Sequence, residues 1–199
     1  MWASTRLQAG ENDIIAPTLV ILREAWNKMH AYVRAVGPVE INGFGYVEEF
    51  GSDLLLTDVF ITKQTVTGGT AANTGSAFAK AQYHAFQDGK ADELRLQWHS
   101  HVHGDAYHST TDMRSIERFG QGGMEWFVSL VTNHHGDITA RMDLYRPVRL
   151  GAPMEIKVVD YVNPAIQASI LAEIEELVTV ETPKKTGRAR TAQPVTTSN

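Results

Sequence analysis

His99 and His101 stand one residue apart in the stretch Gln97-Trp98-His99-Ser100-His101, and Asp112 follows a short way downstream. On a strand, positions i and i+2 share a face, so the two imidazoles would emerge side by side. A carboxylate returning after a short turn supplies a third ligand and leaves a fourth position open, the donor set of a hydrolytic zinc site. The chain has no cysteine, which excludes disulfides and thiolate metal sites; a zinc ion would rest on His, Asp or Glu alone.

The rest of the chain has to position these residues. Its 199 residues suit one well-buried domain, with 43% hydrophobic and 21% charged residues, as in an ordinary globular protein. Apolar positions Leu19, Leu22, Trp26, Met29, Val33 and Val36 predict a helix over 18–36, opened by Pro17 and closed by Gly37. Strands are expected over 39–49 and 54–62 around a turn at 50–53. A Gly/Thr/Asn-rich loop over 65–75 and a helix over 76–87 follow. A short strand, 94–101, delivers the histidines, and a helix over 110–119 follows, with Ser109 or Thr110 as its cap. Residues 126–132 and 138–145 read as a hairpin, 154–159 as a strand and 165–178 as a last amphipathic helix. That order predicts an α/β or α+β fold, one sheet with helices packed on it.

Charge is uneven. Lys184, Lys185, Arg188 and Arg190 are the only charged residues beyond Glu181, leaving 14 basic against all 23 acidic side chains in residues 1–181, a net −9. Residues 1–181 therefore form the expected domain, and 182–199 a flexible basic tail. An acidic body argues against nucleic acid as a partner. No apolar run reaches the ~20 residues that span a bilayer, and Met1 to Glu11 lacks the order of a signal peptide, so a cytoplasmic location is expected.

The wider pattern is His99-Ser100-His101, seven residues, Ser109, two residues, Asp112, with Glu40 upstream in Val39-Glu40-Ile41-Asn42-Gly43. This resembles the JAMM (MPN-plus, or JAB-domain) metalloproteases of prokaryotic or viral type. Their signature is a Glu on an early strand, then His-x-His, seven residues, Ser, two residues and Asp. The resemblance runs from about Ile15 to Pro147. Many members have Pro after the second His, where this chain has Val102; that position shapes a loop and ligates nothing.

The resemblance implies a curved mixed sheet flanked by helices, similar to the cytidine deaminase architecture. It implies that His99, His101 and Asp112 hold one catalytic Zn2+, whose water becomes a nucleophile near neutral pH. Glu40 would be the general base, and Ser109 would donate to the oxyanion. The implied substrate is a ubiquitin-like protein or its conjugate, cut after the C-terminal tail, in company with activating or conjugating enzymes. The extra histidines His103 and His108 read as surface residues near the cleft.

Other zinc and histidine motifs fit less. Histidine-triad hydrolases require apolar residues after each His, where Ser100 and Gly104 stand. A metallo-β-lactamase would need Asp at His103, and the deaminase site needs cysteines. Two further readings remain open: an MPN scaffold without turnover, and a metal hydrolase of small peptide or amino-acid conjugates.

Overall fold

The structure is a computed structural model that describes residues 8–9, 14–64, 66–67, 70–71, 75–102 and 104–160. The chain divides into one unit, Met1–Tyr161, and a second, Val162–Asn199. The helix expected over 165–178 and the tail expected over 182–199 lie outside the described residues, as does His103.

In chain order the strands are β1 (Gln8–Ala9), β2 (Ile14–Ile15), β3 (Leu19–Leu22), β4 (Asn42–Phe50), β5 (Asp53–Phe60), β6 (Val66–Thr67), β7 (Thr70–Ala71), β8 (Leu94–His101), β9 (Trp126–Asn133), β10 (Ile138–Leu144), β11 (Leu150–Pro153) and β12 (Ile156–Val159). The α-helices are α1 (Arg23–Val36), α2 (Gly75–Gln87) and α3 (Thr110–Gln121). Eight strands form one mixed sheet in the order β11-β10-β9-β8-β4-β5-β3-β12. The pairs β12/β3, β3/β5 and β8/β9 are parallel, and the others antiparallel. The fold is thus mixed α+β.

The sheet is curled. Laid flat, eight strands at ~4.8 Å spacing would hold their outermost members roughly 34 Å apart. Yet β11 and β12, the two edges, are joined by Met154 and Glu155 alone. Two linking residues reach no more than about 11 Å. The joint is pinned from both sides: Met154 N–H donates to Ala140 O at 2.9 Å, and Leu19 N–H donates to Glu155 O at 2.8 Å.

One face of the sheet packs Leu96, Trp98, Val128, Leu130 and Met142 against Ala25, Met29 and Val33 of α1. The other packs Phe44, Phe60, Leu94 and Phe127 against Ala81 and Ala85 of α2 and Phe119 of α3. Trp98 and Phe44 are among the largest fully buried side chains. Gly43 pairs with Trp98 across the β4/β8 ladder, and a Cβ there would lie 2.6 Å from the indole Nε1. Only a residue without Cβ lets the ring close over the strand.

The helix expected over 18–36 is two elements. Leu19-Val20-Ile21-Leu22 forms β3, hydrogen-bonded in parallel on both sides, and α1 starts at Arg23. A continuous apolar run between two parallel neighbours has both faces buried, so helical spacing there was coincidental. The strand expected over 154–159 is β12, which starts at Ile156; β11, just before it, was not expected, and the loop expected over 65–75 contains the short β6/β7 pair.

Candidate metal site

His99 and His101 end β8, and their i, i+2 spacing puts both rings on the α2/α3 face of the sheet, as expected. The two Nε2 atoms face each other at 3.3 Å. From α3, Asp112 brings Oδ1 to 3.5 Å from His99 Nε2. The three ligand atoms all lie within 4.8 Å of one another. Tetrahedral bonds of about 2.0–2.1 Å imply a ligand–ligand edge of roughly 3.3–3.4 Å, which the 3.3 and 3.5 Å separations approach. His99, His101 and Asp112 could therefore hold a metal ion, and they are all half-buried, open enough to admit one.

Two of the ligands are oriented from behind. His101 Nδ1 lies 3.1 Å from Asp105 O; with the proton on Nδ1 donated there, Nε2 keeps its lone pair for the metal. Asp112 is gripped by Ser109, whose backbone N–H and hydroxyl donate to Oδ2 at 2.7 and 2.6 Å. Ser109 Oγ in turn accepts from Asp112 N–H at 3.2 Å, which completes a capping box at the start of α3. Burial opposes the charged form of Asp112, but the hydrogen bonds and charge of His99, with the Ser109 donors, outweigh it and hold the carboxyl well below the usual range. Ser109 thus caps the helix, as its type predicted, and its single O–H is committed to Asp112.

Glu40 lies just before β4 rather than within a strand. Its place follows from the register. Asn42 pairs with His99, and Ser100 N–H donates to Ile41 O at 2.8 Å. Ser100 Oγ, fully buried, accepts from Ile41 N–H at 3.1 Å. Carried one residue past its last pair, the same register would set Glu40 across from His101.

Several positioning residues escaped sequence reasoning. Asn133, opposite His101 in the β8/β9 register, donates through Nδ2 to Gly104 O at 2.9 Å and to Asp137 Oδ2 at 2.8 Å. Its Oδ1 accepts from the N–H groups of His135 and Asp137. One side chain so ties the β9/β10 turn to the loop after His101; an Asn next to a turn signals the turn, and nothing more. Tyr107 sets its ring edge-on to His101, with centroids 5.2 Å apart, and is exposed. His108 is not the surface residue its loop position predicts: its Nε2 is buried and has no protein partner. Burial, helped by neighbouring His99 and Arg141, pushes it down to about 4, against Asp112 and a hydrogen bond that it donates to the Ser129 backbone.

No family model matches the chain, and no curated protein matches it. Among solved structures 142 chains match. One is the solution structure of protein DSY2949 from Desulfitobacterium hafniense, 15% identical with a TM-score of 0.53, over 73% of this chain and 96% of that one. At that identity the likeness concerns the fold alone. No helix among the described residues is long and apolar enough to cross a membrane.

Proposed function

We propose that the chain is a zinc-dependent metalloprotease of the JAMM (MPN-plus) type, hydrolysing the peptide or isopeptide bond after the C-terminal tail of a ubiquitin-like protein. The observation that carries this reading is the convergence of His99, His101 and Asp112 within 4.8 Å of one another, with Glu40 in the segment that runs into the strand paired beside the histidines. Neutral imidazoles and one carboxylate are a donor set suited to zinc, and they leave a position for water.

When bound, zinc would acidify a coordinated water toward pKa ~7 and polarise the scissile carbonyl. The protein supplies the rest. Glu40 takes the proton of the attacking water and hands it to the departing amine. Ser109 acts first by steering Asp112, since its hydroxyl would have to leave Oδ2 before it could donate to an oxyanion. A ubiquitin-like substrate and companion activating enzymes belong to the same reading, as does a cytoplasmic setting.

The test combines metal analysis of the purified chain with a panel of ubiquitin-like fusions and small acyl-amide substrates. Glu40→Gln is expected to keep stoichiometric zinc and fall to a small residual rate of cleavage, and His101→Ala to lose both zinc and cleavage. Retained turnover in Glu40→Gln would refute the assigned base. Zinc without turnover on any substrate would favour a scaffold, and cleavage of small amides alone would move the reading to a hydrolase of small conjugates.

A further inference from the structure

The segment that presents Glu40 lacks a strand on one side. The β4/β5 ladder runs from Phe50↔Asp53 to Phe44↔Phe60, and there β5 ends. Asn42, two residues further along β4 and buried, has no β5 residue across from it. Its backbone groups are nevertheless paired. Asn42 N–H donates to Gln64 Oε1 at 3.1 Å, and Gln64 Nε2 donates to Asn42 O at 2.8 Å. The same amide donates to Thr62 O at 3.3 Å. An amide has one carbonyl and two N–H donors, so its hydrogens are both used, and turning it over would set like against like.

We infer that Gln64 is a positioning residue for Glu40: its side chain replaces the missing strand beside Asn42 and holds the base's segment in place against β8. Ser100 grips Ile41 from the β8 side and Gln64 grips Asn42 from the other, so the two residues that follow Glu40 are fixed from both flanks. Gln64 itself is only half-buried. Without its amide, water would take over the Asn42 backbone groups and the segment would slacken. A shift on the order of 1 Å in a reacting group costs about 10²-fold in rate. This inference rests on the peptidase reading for its catalytic part, and on hydrogen bonding alone for the clamp.

Gln64→Met keeps the length of the side chain and removes its hydrogen bonds. Two measurements test the inference. The first is amide hydrogen exchange of the zinc-loaded protein: Asn42 is expected to exchange faster in Gln64→Met, while Leu96 and Trp98 stay protected. The second is kinetic: kcat is expected to fall about 10²-fold with KM and zinc content unchanged. In the Glu40→Gln background the same change should reduce residual turnover by less than about 3-fold, because a residue acting only through Glu40 has nothing left to position. Unchanged Asn42 exchange overturns the clamp whatever the activity. Losses that multiply in the double variant overturn the link to Glu40. A wild-type chain that cleaves nothing sinks the peptidase reading and the catalytic part of this inference, but leaves the exchange result to judge the clamp.

Discussion

Asp112 has separate work for each oxygen: Oδ2 closes the capping box with Ser109, and Oδ1 faces His99. One substitution should therefore show in two measurements. Ser109→Ala is expected to weaken zinc binding ~10–100-fold, as loss of a ligand's hydrogen-bond partner does, and to destabilise the fold by about 1 kcal/mol through the lost cap. Competition titration and urea unfolding check the two halves; unaltered zinc affinity would show that Asp112 needs no steering. His108 gives a pH-dependent test. Its folded value, about 4, lies below the unfolded value of about 6.5, so the folded state binds fewer protons between them. The stabilisation is complete above pH ~6.5 and is lost as the pH falls toward 4, in total on the order of 3 kcal/mol. Urea unfolding of chelated protein at pH 7 and 4.5 should show a smaller acid loss in His108→Leu than in wild type. The ligand set was legible from residue types and spacing. The burial of His108 was not, because nothing local to its loop says that Arg141 and Ser129 close over it.

At the level of elements, the sequence reading succeeded where one periodicity stood alone. The strand that ends in His99 and His101, the helix capped by Ser109 and the hairpin of β9 and β10 are all present. It failed at residues 19–22, where four apolar residues satisfy a helical stripe and a doubly buried strand equally well, and only the partners β5 and β12 decide. Gly43 shows how one residue joins two elements at the site. The Trp98 ring occupies the space above it, one pair along the ladder from Asn42 and His99. Gly43→Ala is expected to cost ~1–3 kcal/mol by overpacking, and to loosen the β4/β8 register into which the Glu40 segment runs. A melting curve at wild-type Tm would show that both the Phe60 carbonyl and the ring can move aside. The Glu-x-x-Gly spacing was visible in the sequence, but the reason for its glycine required the packing.

For the whole molecule, the candidate metal site sits at the end of strands whose cores are complete without it. Two apolar clusters, one on each face of the sheet, hold the fold. Chelation is therefore expected to lower Tm without unfolding the chain, and readdition of zinc at about 100 times its Kd to restore roughly 2.7 kcal/mol. Calorimetry with and without chelator checks this, and loss of the cooperative transition in the apo protein would contradict it. The curl of the sheet could not be read from composition or periodicity. It emerges only when β11 and β12 are found on opposite rims with Met154 and Glu155 as the whole connection. That short bridge has a practical meaning: β11 and β12 each pair on one side only, so it keeps two rims of bare backbone, on which stray chains could stack, close to each other. It also makes the bridge a seam: severing it should free both rims at once, and the cut protein is expected to self-associate more than the intact chain.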